Sequence, residues 1–256
     1  MTTRVALVTG AAQGIGEAIC LRLADEGIDI ALLDIPSKQE QLATVADQIA
    51  AKGRKTIILP VDVTSEQEVK TSIAKTVEAL GSLDIMVANA GIMGPISPML
   101  EVSIEDFRRV QAVNVEGVFF CYKYAAQQMN QQGRGGRIIG AASVAAKRGA
   151  PRFTPYTASK FAVRGLTQVA AQEFAPHNIT VNAYAPGMVM TSMSALPEDE
   201  KLGGHGQGIK KLLGLPADMV LGKPSEVAEL VAFLIKPEAQ YITGQSVSID
   251  GGMNFD

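Results

Sequence analysis

Residues 5–16, Val5-Ala6-Leu7-Val8-Thr9-Gly10-Ala11-Ala12-Gln13-Gly14-Ile15-Gly16, begin as an apolar, β-branched run and break into a glycine-punctuated turn. Arg4 to Val8 reads as a central strand of a parallel sheet, because such strands are covered on both faces and show no polar alternation. Ile15, Ile19 and Leu23 then recur at helical spacing and give the next segment one apolar face. Gly10 and Gly14 let the backbone pass close to a bulky anion, and Gly16 lets the helix pack near the strand. The free N–H groups of that helix's first turn point over the glycines. The arrangement suits a pyrophosphate; a tight strand-to-helix connection without a ligand is the plainer alternative. The spacing G-x-x-x-G-x-G is neither G-x-G-x-x-G nor the phosphate loop ending in Gly-Lys-Ser/Thr. It points to one branch of dinucleotide enzymes and away from nucleotide triphosphatases.

A chain of 256 residues, 47% of them hydrophobic, can bury one sizeable core, and no composition shift marks a linker. We therefore expect a single domain over residues 1–256. No apolar run is long enough for a bilayer, and Met1-Thr2-Thr3-Arg4 leads straight into a strand, so a cytoplasmic protein is expected. Cys20 and Cys121 fall on apolar helical patterns and read as reduced core residues. His177 and His205 have no partners at metal-binding spacing, and no metal is expected. The net charge of −3 has no basic block behind it, which argues against nucleic acid or an anionic membrane as partner.

Ile28 to Leu33 reads as a second strand with Asp34 at its C-terminal end, where an acid meets the adenosine ribose. A carboxylate there accepts from the ribose hydroxyls, worth about 1.5–3 kcal/mol. It would repel a 2′-phosphate by about 4 kcal/mol per charge pair near a protein surface. Gln13 offers no cation for an extra phosphate, so NAD is expected over NADP. An ordinary solvated, helix-capping acid is the alternative for Asp34. Lys38 to Lys52 is helical, Thr56 to Val61 is the third strand, and Asp62-Val63 follows at the same sheet edge. Asp62 either accepts from adenine or caps the helix starting near Ser65. Leu83 to Ala88 is the fourth strand and ends in Asn89-Ala90-Gly91, small enough for close approach of a cofactor or for a plain tight turn.

Ile104 to Gln131 gives a long helical pattern that breaks at Gly117. Asn114 lies within it among Val113, Val115 and Val118, costly to bury unless it bonds a neighbouring carbonyl or holds a water. Gly136 to Ala142 is the fifth strand and leads to Ser143. Tyr156 and Lys160 share one face at the start of a helix that runs to about Phe174. Ile179 to Ala185 is the sixth strand, followed by Pro186-Gly187-Met188-Val189-Met190-Thr191. From Ser192 to Pro216 the pattern loosens around Gly203, Gly204, Gly206 and Gly208. With the Met188 and Met193 region this reads as a flexible substrate lid at about 188–216. Pro224 to Leu234 is helical, and Ser246 to Ile249 is the last strand.

The glycine turn, Asn89-Ala90-Gly91, Asn114, Ser143, Tyr156-x-x-x-Lys160 and Pro186-Gly187, in this order and spacing, resemble the short-chain dehydrogenase/reductase family from Arg4 to Gly252. The resemblance implies an α/β, single-domain Rossmann fold: a doubly wound sheet of seven parallel strands with helices on both faces, usually a homotetramer. It also implies a ketone/alcohol oxidoreductase in which Tyr156 is the general acid/base. Lys160 then lowers the tyrosine pKa and binds the nicotinamide ribose, Ser143 donates to the substrate oxygen and Asn114 holds a relay water. The cofactor-binding set implied with the residue reading is Gly10, Gln13, Gly14, Ile15, Gly16, Asp34, Asp62, Val63, Asn89, Ala90, Gly91, Tyr156, Lys160, Pro186, Gly187, Val189 and Thr191.

Within the family, Ser159 to Gln168, Ile179 to Val189 and Asp250-Gly251-Gly252-Met253 are similar to acetoin/diacetyl reductases, also called 2,3-butanediol dehydrogenases. Bacterial members tend to carry a glutamine and an asparagine where this chain has Val144 and Ala150. An apolar pocket formed by Ser143, Val144, Ala150, Tyr156, Met188 and Met193 is expected, suited to small or medium apolar ketones and diketones rather than sugars. Cyclic or aryl ketones, steroids and 3-oxoacyl thioesters are the alternative substrates. A non-catalytic nucleotide-sensing protein is the alternative from another class, against which the presence of Ser143, Tyr156 and Lys160 counts.

Overall fold

The computed structural model describes residues 3–255. Its strands are β1 (Val5–Thr9), β2 (Asp29–Asp34), β3 (Thr56–Pro60), β4 (Ile85–Ala88), β5 (Gly136–Ala141), β6 (Ile179–Pro186) and β7 (Ser246–Ile249). They form one sheet in the order β3-β2-β1-β4-β5-β6-β7, and every pairing is parallel. The helices are α1 (Gly14–Asp25), α2 (Gln39–Ala51), α3 (Glu66–Leu80), α4 (Ile104–Gln111), α5 (Gly117–Gln132), α6 (Thr154–Phe174), α7 (Gln207–Leu213) and α8 (Pro224–Leu234).

Parallel pairing requires both faces to be covered, and the strand residues sort accordingly. Ala6, Val8, Ile30, Leu32, Ile85 and Val87 pack with Ile19 and Leu23 of α1, Leu42 and Ile49 of α2, and Val227 and Val231 of α8. Leu7, Ala31, Leu33, Met86, Ile138 and Val181 face the other way, toward Val69 and Ile73 of α3, Val118 and Ala125 of α5, and Val163 of α6. Each fully buried Leu, Ile or Val contributes about 1.5–3 kcal/mol relative to leaving it in water. Cys20 and Cys121 are part of this packing, and burial pushes both thiols up, away from reactivity. Among the described residues no helix is long and apolar enough to cross a membrane, and no group of His, Cys, Asp and Glu has a metal-holding arrangement.

Strand order reverses between β1 and β4, and the C-terminal ends of the strands on either side open a crevice there, the usual ligand position in open α/β sheets. Two details differ from the expectation drawn from the sequence. The long helical pattern breaks before Gly117, in a π-helical turn at Ala112–Glu116 that carries Asn114. Gly117 answers to packing instead, since a Cβ there would meet Val63 Cγ2 at 2.9 Å. The segment after Thr191 is also no loose loop: it contains 3-10 turns at Ser192–Ser194 and Asp199–Leu202 and then α7.

Candidate active site

The glycine turn is shaped by its own neighbours. Gly10 has φ 64°, and a Cβ there would stand 2.8 Å from Asn89 Nδ2; a Cβ on Gly16 would run into the Gly10 carbonyl oxygen. Asn89, at the end of β4, locks the turn in place. Its Nδ2 donates to the Thr9 carbonyl at 2.9 Å and the Gly10 carbonyl at 3.1 Å, and Thr9 Oγ1 accepts from the Asn89 and Ala90 amides, each at 3.0 Å. Tyr184 of β6 closes the network by donating its hydroxyl to Asn89 Oδ1 at 2.7 Å. Three strand ends are thus held together by side chains of Thr9, Asn89 and Tyr184. Tyr184 carried no signal in the sequence beyond lying in an apolar strand.

A cleft of about 400 Å³ lies over this turn and is lined by Gly10, Gln13, Gly14, Ile15, Asp34, Asp62, Val63, Asn89, Ala90, Gly91, Lys160, Pro186 and Thr191. Gly16 lies beneath it as packing. Helix α1 opens on the cleft without a side-chain cap, so its first amides offer donors to an anion. Asp34 Oδ2 accepts from the Ala12 amide at 3.1 Å and Oδ1 from the Ile35 amide at 2.9 Å, leaving further lone pairs on both oxygens. The donor set, the glycine floor and the acid at the end of β2 fit a dinucleotide. Asp62 lines the cleft with its Oδ1 already engaged by the Thr64 amide and hydroxyl, both at 2.9 Å, while Ser65 caps α3. Gln13 differs from expectation. Lys38 Nζ lies 3.3 Å from Gln13 Oε1, so a cation does stand beside this position; the 3-10 turn Pro36–Lys38 after β2 brings it there from 25 residues away.

A second hollow, of about 520 Å³, adjoins the cleft and is lined by Ser143, Val144, Ala150, Tyr156, Gly187, Met188, Val189 and Met193. Ser143, just past β5, meets Tyr156 of the first turn of α6 at this hollow, and its Oγ accepts from the Ala145 amide at 3.1 Å. Pro155 starts that helix, and Gln111 Nε2 anchors it by donating to the Pro155 carbonyl at 2.9 Å. One turn on, Lys160 is buried, donates to the Ala141 carbonyl at 2.8 Å and lies 5.3 Å from the centre of the Tyr156 ring. Burial pushes the Tyr156 phenol above its usual value, with the Ser143 hydrogen bond pulling the other way. Burial lowers Lys160 to about 8. A lysine cation about 5 Å from a phenolate favours it by about 3 kcal/mol at an effective dielectric of 20, which works against the cost of burying that phenolate.

Asn114 is fully buried, and its amide is committed. Nδ2 donates to the Ile92 carbonyl at 2.8 Å and to Ser159 Oγ at 3.0 Å, while Oδ1 accepts from the Ile92 amide at 2.8 Å. Its side chain thus bonds a neighbouring carbonyl, one of the two roles open to it. Ser159 in turn donates to the Tyr156 carbonyl at 2.6 Å, so Asn114 ties the π-helical turn to the start of α6.

The segment 188–216 is held together by Asp199, whose carboxylate collects the amides of Gly206 at 2.7 Å, Gly208 at 2.7 Å and Leu196 at 3.0 Å. Burial opposes the charge, yet these bonds and nearby His205 hold the carboxyl below its usual range. Ser194 Oγ contacts the Val189 carbonyl at 2.7 Å, the Thr191 carbonyl at 3.0 Å and His205 Nε2 at 2.8 Å. Ser194 Oγ also accepts from the Thr191 amide at 3.2 Å, and the direction of its bond with His205 follows the imidazole tautomer. His205, given no role from the sequence, therefore latches the covering segment to the stretch that borders both hollows. Replacing it with alanine should raise substrate KM about fivefold and cost about 1 kcal/mol of stability, while His205→Gln restores both. Steady-state kinetics and thermal unfolding check this, and an unchanged KM would contradict a latch.

A family model described as enoyl-(acyl carrier protein) reductase matches residues 10–254. A short-chain dehydrogenase/reductase of Armillaria gallica is 49% identical over 99% of this chain and 97% of its own length. The L-2,3-butanediol dehydrogenase of Corynebacterium glutamicum is 43% identical over 99% of this chain and 100% of its own. The crystal structure of an acetoin dehydrogenase from Salmonella typhimurium superposes with a TM-score of 0.83 at 34% identity, covering 98% of this chain and 96% of that one.

Proposed function

The chain belongs to the short-chain dehydrogenase/reductase family, and from that premise we propose that it uses NAD(H) to interconvert a vicinal diketone or hydroxyketone with the corresponding alcohol. The coarser activity, an oxidoreductase acting on ketone and alcohol groups, is common to its relatives named for butanediol and acetoin. The observation that carries the reading is the meeting of Ser143 and Tyr156 at an apolar hollow that opens on the dinucleotide-shaped cleft.

When bound, the nicotinamide supplies or accepts the hydride. Gly14, Ile15 and the α1 amides would hold the pyrophosphate, Asp34 the adenosine ribose, and Lys160 the second ribose. In reduction, Ser143 donates to the carbonyl oxygen and Tyr156 releases its phenolic proton to that oxygen as negative charge builds there. Lys160 offsets the phenolate left behind. In oxidation the same phenolate takes the alcohol proton. Asn114 acts through Ser159 and Ile92 as a positioning residue, because both its amide protons are engaged. A homotetramer is part of the proposal, supported by exposed Phe119, Phe161 and Val169 on α5 and α6.

The test is NADH oxidation by the purified protein with diacetyl across pH. Reduction needs a protonated phenol and a lysine cation, so kcat/KM should fall as pH rises through about 8, where Lys160 loses its proton. No turnover of diacetyl or of any related hydroxyketone would reject the proposal.

A further inference from the structure

The two hollows share Ile15, Tyr156, Pro186, Thr191 and Met193. The larger one continues beyond them into a wall formed by Met93, Phe153, Met188, Ile209, Leu213 and Leu215. This wall is built from distant parts of the chain. Met93 follows β4, Phe153 precedes α6, Met188 follows β6, and Ile209 and Leu213 lie on α7. Its polar groups are spoken for or peripheral. Ser194 is bonded to Val189 and His205, and Arg148 is exposed, leaving Ser143 and Tyr156 as the reactive end. At about 520 Å³ the hollow lies within the roughly 300–1,000 Å³ typical of pockets for drug-sized ligands. A four-carbon diketone has six non-hydrogen atoms and needs at most about 180 Å³, allowing each atom the ~30 Å³ a water takes in the liquid. Ile15, Pro186, Gly187, Val189 and Thr191 would face the nicotinamide, so what a four-carbon diketone bonded to Ser143 and Tyr156 leaves without a contact is the wall of Met93, Phe153, Ile209, Leu213 and Leu215.

We propose that the preferred substrate carries a bulky apolar substituent, of aromatic-ring size or larger, on the diketone or hydroxyketone unit, lodged between Phe153 and α7. This rests on the reading of Ser143 and Tyr156 as the reactive pair. The reaction balances as ketone plus NADH plus a proton giving secondary alcohol plus NAD⁺: a C–H bond forms at the carbonyl carbon, and the oxygen receives the Tyr156 proton. Val144 and Ala150, both apolar, extend the wall on the Ser143 side.

The experiment compares 1-phenyl-1,2-propanedione with diacetyl, using NADH and the full chain. The aryl diketone should show a kcat/KM at least about 30-fold higher, chiefly through KM, since each added apolar group that finds a pocket is worth roughly tenfold or more. Ile209→Trp narrows the hollow and should lower kcat/KM for the aryl diketone at least about tenfold more than for diacetyl. Leu213→Phe is the milder second variant should the first unfold. Equal or better turnover of diacetyl overturns this inference and leaves the proposed function standing; no turnover of either overturns both.

Discussion

Replacing Tyr156 with phenylalanine should lower kcat by about 10³–10⁴ and leave NADH affinity within about threefold. The substitution removes one oxygen and keeps the ring beside Lys160, whose ammonium lies 5.3 Å from the ring centre and is held independently by the Ala141 carbonyl at 2.8 Å. The fold should survive, because α6 is anchored by Gln111, by the Asn114–Ser159 bond and by its apolar face rather than by the phenol. What disappears is the proton carrier that the structure places with Ser143 at the hollow. Steady-state rates measure the first part, and quenching or enhancement of NADH fluorescence on binding measures the second. Activity within tenfold of the parent would show that another group moves the proton. Loss of NADH binding with the rate would show instead that Tyr156 is structural. A protein that only senses the nucleotide would have no rate to lose.

The second large effect concerns the cofactor. The Asp34 carboxylate would stand against a 2′-phosphate with a repulsion of about 4 kcal/mol per charge pair at an effective dielectric of 20, roughly a 10³-fold preference for NADH over NADPH. Lys38 qualifies that number, because its ammonium reaches Gln13 Oε1 at 3.3 Å in the same cleft and would attract the phosphate. Asp34→Ser removes the repulsion, keeps a hydroxyl near the Ala12 amide and leaves Lys38 in place. We expect the NADH/NADPH ratio of kcat/KM to drop by at least about 100-fold in this variant. Asp34→Ser combined with Lys38→Ala should give back part of the NADPH gain. If the parent protein uses both cofactors equally, Asp34 does not set the choice.

The positions of the seven strands and of most helices are legible in the sequence, for a local reason. A strand buried on both faces must be a short, continuous apolar run, and a helix packed on a sheet must be apolar at every third or fourth position. Residues 5–8 and 30–33 satisfy the first condition, and Pro224–Leu234 satisfies the second with a proline at its start. Tyr156 and Lys160 are equally local, one helical turn apart, and so are Gly10, Gly14 and Gly16. Side chains that meet across the chain have no such signature. Gln13 reaches Ser192 over a separation of 179 residues and Tyr184 reaches Asn89 over 95; either partner alone looks like an ordinary polar or apolar residue. The same holds for Lys38 beside Gln13, for Asn114 spending its amide on Ile92 and Ser159, and for the Asp199 and His205 bonds that order a glycine-rich stretch.

By itself the sequence determined the kind of sheet and the glycine floor of the cleft, and it singled out Tyr156 and Lys160 for the proposed chemistry, because these depend on spacing within a few residues. Only the tertiary structure decided the electrostatic setting of that pair, the cation beside Gln13 and the size of the hollow at Tyr156. Those are properties of the space enclosed between segments, and burial and distance exist only once the segments have packed.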